Sequence, residues 1–351
     1  MARKKFSRKL LFWYAENRRN LPWRHTKDPY KIWLSEIILQ QTRVAQGIPY
    51  YQRFIRQFPT VFSLAKASEQ DVLRLWQGLG YYTRARNLHH CALEVVENFH
   101  GKFPDNFKDL KKLRGIGSYT AAAIASISFH QPVVVVDGNV FRVLARIFGI
   151  TKDISELKTK DYFFALGNEL ISKEHPDEFN QAIMEFGATH CLPKIPLCGE
   201  CIFNKDCIAN THDLQTVLPV KKKKQKVTKR YFYYVIIRKG KKVAMRKRNE
   251  KDIWHGLFDF YLAETTKPSN LQKLREENKI LKNVQSDALS KTYKHQLSHQ
   301  QLLAKFITVD LSTLPAEMLK VGFKFYSISE IKKLPKPVLI LRYLKDEGIL
   351  E

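Results

Sequence analysis

Leu113-Arg114-Gly115-Ile116-Gly117-Ser118, followed by Pro132-Val133-Val134-Val135-Val136-Asp137-Gly138, is the stretch on which the fold turns. Gly115 and Gly117 stand between two segments whose apolar residues recur at helical spacing. Two glycines permit a tight turn and a close backbone approach. The following helix is expected to begin near Ser118, so that its unpaired N–H groups can meet a phosphate. By itself such a turn would be an ordinary connection between helices. Asp137 precedes Gly138-Asn139-Val140-Phe141-Arg142, which reads as the start of a further helix. Its structural role there is an N-cap, and the positive helix end would keep its carboxylate ionised.

A second carboxylate lies upstream. Glu36 sits in Trp33-Leu34-Ser35-Glu36-Ile37-Ile38-Leu39-Gln40, among mostly apolar helical neighbours. Desolvation there raises a carboxyl pKa and holds a proton ready near neutral pH. The plainer alternative is an exposed glutamate on an amphipathic helix. An acid poised to protonate and a charged partner poised to stabilise a cation are the pair that glycosidic cleavage requires.

Downstream, four of the five cysteines follow the pattern Cys191-x6-Cys198-x2-Cys201-x5-Cys207. Thiols so close in sequence point to a shared soft-metal centre. A four-cysteine zinc site usually pairs two Cys-x-x-Cys knuckles across a longer spacer. One Cys-x-x-Cys with two flanking singles suits a cubane cluster in a tight loop, with zinc as the alternative. Cys91 stands alone in a helical stretch and is expected to be buried.

The rest of the chain frames these motifs. Its 351 residues can bury a substantial core and suggest more than one domain. Lys plus Arg total 60 against 34 Asp plus Glu, a formal charge of +26, so a polyanion such as nucleic acid is the expected partner. The longest apolar runs, Leu10 to Ala15 and Tyr231 to Ile237, are too short to span a bilayer, and no signal-peptide pattern follows the basic N-terminus. The expected location is the cytoplasm, beside the nucleoid in a bacterium. Residues 1–210 read as helical, with breaks at Gln46-Gly47, Phe58 to Thr60, Gly78 to Gly80, Gly101 to Pro104 and Gly115 to Gly117. Residues 211–229 read as a basic linker that could follow a phosphate backbone, including Lys221 to Lys224, Lys226 and Lys229. Residues 230–351 read as a mixed α+β domain. Its expected strands are Tyr231 to Ile237, Leu302 to Val309 and Phe323 to Ile328, and its expected helices Leu271 to Ile280 and Val338 to Leu344.

Further motifs give these pieces a family. They include Leu21-Pro22-Trp23-Arg24, Ser35-Glu36 through Leu39-Gln40-Gln41-Thr42, Gly78-Leu79-Gly80-Tyr81-Tyr82 before Arg84-Ala85-Arg86, and Asn180-Gln181-Ala182 before Gly187-Ala188 and Cys191. Together with the hairpin, the aspartate and the cysteine loop, they resemble the A/G-specific adenine DNA glycosylases of the MutY type, within the helix-hairpin-helix/endonuclease III superfamily. The resemblance implies a mainly α fold: a helical helix-hairpin-helix glycosylase module with a [4Fe-4S] loop on Cys191, Cys198, Cys201 and Cys207, plus a C-terminal α+β Nudix-like domain. It implies a monomeric enzyme that acts on double-stranded DNA containing adenine mispaired with 8-oxoguanine or guanine. Glu36 would protonate the flipped adenine and later activate water, and Asp137 would stabilise the sugar cation. Tyr119 and Asn139 would orient these groups. Trp23, Arg24, Leu39 and Gln181 would line the adenine pocket. Gly115 and Gly117 would meet the backbone phosphates. Gln41, Thr42, Leu79 and Tyr81 would fill the gap that base flipping leaves. Bifunctional relatives carry a lysine nucleophile where this chain has Tyr119, so no strand cleavage is expected.

The resemblance also implies that the C-terminal domain reads the lesion through His295-x-Leu297-Ser298-His299, with Leu297 where the family usually has Phe. An ordinary polar turn is the alternative for Ser298 and His299. Arg275-Glu276-Glu277 lacks the further acidic pair and the glycine of a hydrolytic Nudix box. A pyrimidine-specific glycosylase/lyase, a non-catalytic DNA-binding protein and a nucleotide hydrolase are the competing readings. They are opposed respectively by Tyr119, by the presence of both Glu36 and Asp137, and by the incomplete metal box.

Overall fold

The structure is a computed structural model that describes residues 3–222, 227–278, 280–281, 289–297 and 299–350. Ser298 and the lysines at 223, 224 and 226 lie outside the described residues. The chain divides into two compact units, Met1–Ala67 with Asn87–Lys223, and Ser68–Arg86 with Lys224–Glu351. Among the described residues, no helix is long and apolar enough to cross a membrane.

The first unit is helical. Its central helix, Pro29–Leu39, is started by the Asp28 side chain, which accepts from the Tyr30 N–H, and by Pro29 in the first turn. Tyr30 and every residue from Ile32 to Ile38 are buried, so this helix is enclosed on nearly all sides. It packs against Ser118–Phe129, which begins at Gly117 and is buried from Thr120 to Ile127. Pro176–Thr189 in turn packs on Ser118–Phe129, Gly138–Phe148 and Arg3–Asn17. An aromatic cluster of Phe6, Phe179, Phe186 and Phe203 fixes the first helix to the cysteine-bearing segment, with Phe6 stacked on Phe203 at 4.9 Å. Cys91 is fully buried, as expected.

One expected break is absent. Helix Val44–Gln57 runs through Gln46 and Gly47. Gly47 serves close packing of this helix on its predecessor, because a Cβ there would stand 2.8 Å from Leu39 Cδ2.

The second unit is built on seven strands among the described residues: β1 Thr228–Lys239, β2 Lys242–Lys247, β3 Phe258–Asp259, β4 Tyr261–Thr265, β5 Tyr293–Gln296, β6 Gln300–Asp310 and β7 Lys324–Ser327. They follow the order β3-β2-β1-β6-β5, with β4 paired to β1 and β7 to β2. β1 and β6 run parallel from Thr228↔Gln300 to Arg238↔Asp310, whereas β5 and β6 form an antiparallel hairpin. Phe232 to Ile237 are buried on both faces of the sheet, which explains their unbroken apolar character. Tyr233, Val235 and Ile237 join Ile307 and Val309 in one layer. In the other, Phe306 stacks on Tyr343 at 3.9 Å. The three expected strands coincide with β1, β6 and β7, and Ile328 begins a helix instead of ending the last strand. Helix Leu271–Glu277 stops before its expected end because Asn278 turns extended. Helix Val338–Asp346 covers the last expected one.

Candidate active site

Glu36, the eighth residue of helix Pro29–Leu39, is buried. Burial pushes its carboxyl up to about 7 from an ordinary 4.5; a hydrogen bond from Tyr119 opposes the rise and the charge of Asp137 adds to it. Asp137 caps helix Gly138–Phe148. Its Oδ1 accepts the N–H groups of Asn139 and Val140, both at 2.8 Å, and its Oδ2 accepts Asn139 Nδ2 at 2.8 Å. The helix end is expected to keep this carboxylate ionised; burial raises it above its ordinary value, and the Val140 and Asn139 donors and Arg142 limit the rise. Asn139 is itself held from behind, because Arg142 Nη2 donates to its Oδ1 at 2.8 Å and to Gly187 O at 2.7 Å.

These groups face one cavity of about 210 Å³. Trp23, Arg24, Leu39, Thr42, Tyr119, Asn139 and Gln181 line it together with both carboxylates. The volume falls below the roughly 300–1,000 Å³ of sites for drug-sized ligands and suits one planar base. Trp23 packs edge-on against Tyr51 at 5.5 Å. The Tyr119 hydroxyl lies between Met184 Sδ, 3.5 Å away, and Glu36, with a single proton to give to one or the other.

Sequence reasoning missed the back wall. Glu185 is four residues after Gln181 and so shares its helix face. Arg19 grips the Glu185 carboxylate through Nε at 2.6 Å and Nη2 at 2.7 Å, and Arg24 Nη2 binds it at 2.7 Å. Burial alone would raise Glu185, but the two guanidinium groups hold it at about 2. Arg24 is therefore an ion-pair partner as well as a lining residue, and it lies over the Tyr14 ring at 5.4 Å.

A larger groove adjoins the cavity. Gln41, Lys111, Gly117, Ser118 and Lys160 line it along with Glu36 and Asp137. Gly117 is exposed at the start of helix Ser118–Phe129, with open space where a Cβ would be. Gly115 adopts a left-handed φ of +79°, and a Cβ there would stand 2.8 Å from Asn87 Cβ. Gln41 is exposed at a φ of +55°, an uncommon conformation for a residue other than glycine. In the second unit, Tyr81 is 48% exposed with a φ of +48°, whereas Leu79 is buried. His299 is exposed in the β5–β6 turn, and its carbonyl accepts the Thr228 N–H at 3.0 Å. Two basic residues of the linker region already hold acids: Lys222 pairs with Glu156 and Asp153, and Arg230 with Glu264 and Asp252.

Cys191, Cys198, Cys201 and Cys207 ring a common cavity with Arg146. Arg146 Nη1 donates to Cys191 Sγ at 3.4 Å, and the Phe203 N–H to Cys201 Sγ at 3.4 Å. Arg146 also binds the carbonyls of Leu192 and Pro193, which fixes the loop that carries the cysteines. Among the described residues, no three His, Cys, Asp or Glu side chains are grouped tightly enough to hold a single metal ion.

Residues 34–169 match the family described as HhH-GPD superfamily base excision DNA repair protein, and residues 232–346 match the NUDIX domain family. The structure resembles that of a thermostable thymine-DNA glycosylase, with a TM-score of 0.56 and 30% identity, over 60% of this chain and 97% of that one. It shares its fold with endonuclease III in a non-covalent DNA complex, with a TM-score of 0.52 and 20% identity, over 61% and 99% of the two chains. Fold and paired carboxylates thus define a helix-hairpin-helix protein of base excision repair. The adenine DNA glycosylase of Buchnera aphidicola subsp. Schizaphis graminum is 40% identical over 309 residues, 88% of either chain. That of Buchnera aphidicola subsp. Acyrthosiphon pisum is 35% identical over 338 residues, 95% of either chain, and the Homo sapiens enzyme is 44% identical over 213 residues, 58% of this chain and 39% of that protein. The chain belongs to the adenine DNA glycosylase family.

Proposed function

We propose that this protein hydrolyses the N-glycosidic bond of adenine mispaired with 8-oxoguanine or guanine in double-stranded DNA, without cutting the strand. The observation that carries this reading is the enclosure of Glu36 and Asp137 in one base-sized cavity walled by Trp23, Arg24, Leu39 and Gln181. Adenine reaches such a cavity only by leaving the stack, at a cost of a few kcal/mol. Exposed Gln41 and partly exposed Thr42, beside the cavity, would offset that cost by entering the gap, and exposed Tyr81 is a further candidate; Leu79, buried, is not free to do so.

Glu36, protonated near neutral pH, gives its proton to the base and makes it a neutral leaving group. Asp137, held by three N–H donors, faces the positive charge that develops on the sugar. Tyr119 and Asn139 fix the two carboxyl groups. The Glu36 carboxylate, having lost its proton to the departed base, then takes a proton from the water whose oxygen bonds to the sugar carbon that the base has left. No lysine lines the cavity among the described residues, which supports base release without strand cleavage, although Lys111 and Lys160 stand in the adjoining groove. Gly115 and Gly117 let the hairpin backbone approach a phosphate. The second unit would read the opposite base through the β5–β6 turn that carries exposed His299.

The four thiols around one cavity, with N–H groups aimed at two of the sulfurs, fit a [4Fe-4S] cluster. Bound there by Cys191, Cys198, Cys201 and Cys207, it would supply a redox-capable centre that organises the loop. Single-turnover assays on duplexes with adenine opposite 8-oxoguanine, adenine opposite guanine, and thymine glycol opposite adenine test the proposal. Adenine release with strand breaks only after alkali supports it. Breaks on thymine glycol without alkali would move the protein to a glycosylase/lyase activity.

A further inference from the structure

We propose that Tyr14 is a positioning residue that fixes the side-chain amide of Gln181 and so sets which purine the cavity accepts. The inference rests on the adenine excision proposed above and deepens it to the question of purine selectivity.

Tyr14 is almost fully buried, and its hydroxyl donates to Gln181 Oε1 at 2.9 Å. An amide presents an acceptor at one end and a donor at the other, and its outline barely changes when it is turned over. Something must choose between the two orientations. The competing acceptor near Tyr14 is Glu185, but its carboxylate already takes four N–H groups: Arg19 N at 3.1 Å, Arg19 Nε at 2.6 Å, Arg19 Nη2 at 2.7 Å and Arg24 Nη2 at 2.7 Å. These match the roughly four lone-pair sites of a carboxylate. The Tyr14 proton is therefore directed to Gln181, while the guanidinium of Arg24 over the ring holds the phenol in place.

With Oε1 engaged, Gln181 offers its Nε2 donor to the cavity that it lines. Among the described residues, no acceptor is recorded for Nε2. A donor there suits adenine, whose ring nitrogens N1, N3 and N7 all accept. Where it meets N1 it opposes a 6-oxo purine, whose N1 carries a hydrogen and would stand donor to donor with Nε2, whereas N3 and N7 of either base accept. A site built to hydrogen-bond one partner rejects the other by leaving buried groups unpaired, and each such mismatch changes a rate by roughly 5- to 100-fold.

Removing only the hydroxyl, with Tyr14→Phe, leaves the ring packing intact and lets the amide turn. With both orientations populated, adenine excision should fall only a few-fold, roughly the lost share of the productive orientation. Excision of the 6-oxo purine should rise. The test is single-turnover excision from duplexes carrying adenine or hypoxanthine opposite 8-oxoguanine, for wild type, Tyr14→Phe, Gln181→Leu and the double variant. The expected result is an adenine-to-hypoxanthine ratio about tenfold smaller in Tyr14→Phe, with the pH profile of adenine release unmoved. The double variant should behave as Gln181→Leu alone, because the phenol acts only through the amide. Equal losses on both bases, or an additive loss in the double variant, would show that Tyr14 merely supports the fold. A wild type that releases no adenine would overturn the underlying activity, whereas an active wild type with an unchanged ratio in Tyr14→Phe would overturn the role of Tyr14 alone.

Discussion

Glu36→Gln should make the protein more stable as it abolishes its activity, and only at the alkaline end of the pH range. Burial lifts Glu36 from 4.5 to about 7, so the folded state holds a proton that the unfolded chain has given up. Between these values the native state binds more protons than the unfolded one, and stability falls as pH rises. A difference of about 2.5 units at about 1.4 kcal/mol each puts the full cost near 3.5 kcal/mol well above pH 7, and near zero below pH 4.5. Glutamine has the same outline and no charge to desolvate. The gain for Glu36→Gln should therefore be small at pH 5 and approach 3 kcal/mol at pH 8, less whatever the altered bond to Tyr119 loses. In a unit of about 200 residues this amounts to some 5–10 °C in melting temperature.

Calorimetric melting of both proteins at pH 5 and pH 8 measures it. A stability difference that does not change between the two pH values would refute the burial argument, and with it the source of the raised acid. The same group sets the rate: wild-type excision should fall about tenfold per pH unit above 7, because only the protonated form can act. Glu36→Gln should lose excision by several orders of magnitude at every pH while still binding lesion DNA.

Asp137→Asn should also lose excision by orders of magnitude. Its melting temperature should fall by a few degrees at most, because asparagine still caps the helix but turns its amide towards Asn139 Nδ2, donor to donor; normal excision would show that capping was the whole role of Asp137. Arg24→Leu removes one of two cations from the buried Glu185 and should cost about 3 kcal/mol in chemical denaturation; a change under about 0.5 kcal/mol would mean that Arg19 alone satisfies the carboxylate. DNA affinity should fall steeply with salt, with a slope near −0.9 per phosphate contacted. A flat response would assign the charge of +26 to solubility.

The site was legible in the sequence where its chemistry is local. Gly115, Gly117 and Asp137 declare turns and a cap within a few residues of themselves, and Glu36 declares its burial through the apolar residues around it. The wall behind the base cavity has no such local mark. Arg19 and Glu185 are 166 positions apart, and Tyr14 and Gln181 are 167, and each alone reads as an exposed polar side chain until the helices pack. Gly47 misled because a glycine needed for close packing of two helices looks the same as one that ends a helix. In the second unit, the strands with continuous apolar character were readable. β2, Lys-Val-Ala-Met-Arg-Lys, and the short β3 to β5 were not, because their pairing depends on neighbours distant in the chain.

What divides the labour between the two carboxyl groups is the number of donors each receives under similar burial. Burial raises both, and neither can ionise as freely as in water. Asp137 has two backbone N–H groups and an amide trained on its oxygens, and these stabilise only the charged form. Glu36 has the hydroxyl of Tyr119, and Tyr119 is shared with Met184. Asp137 therefore gives up its proton first, and once charged it makes the ionisation of Glu36 harder still. Near neutral pH a proton is therefore held by Glu36 in preference to Asp137. This is the state that glycosidic cleavage needs at its start, and it arises from a helix N-terminus at one carboxyl and an apolar helix at the other.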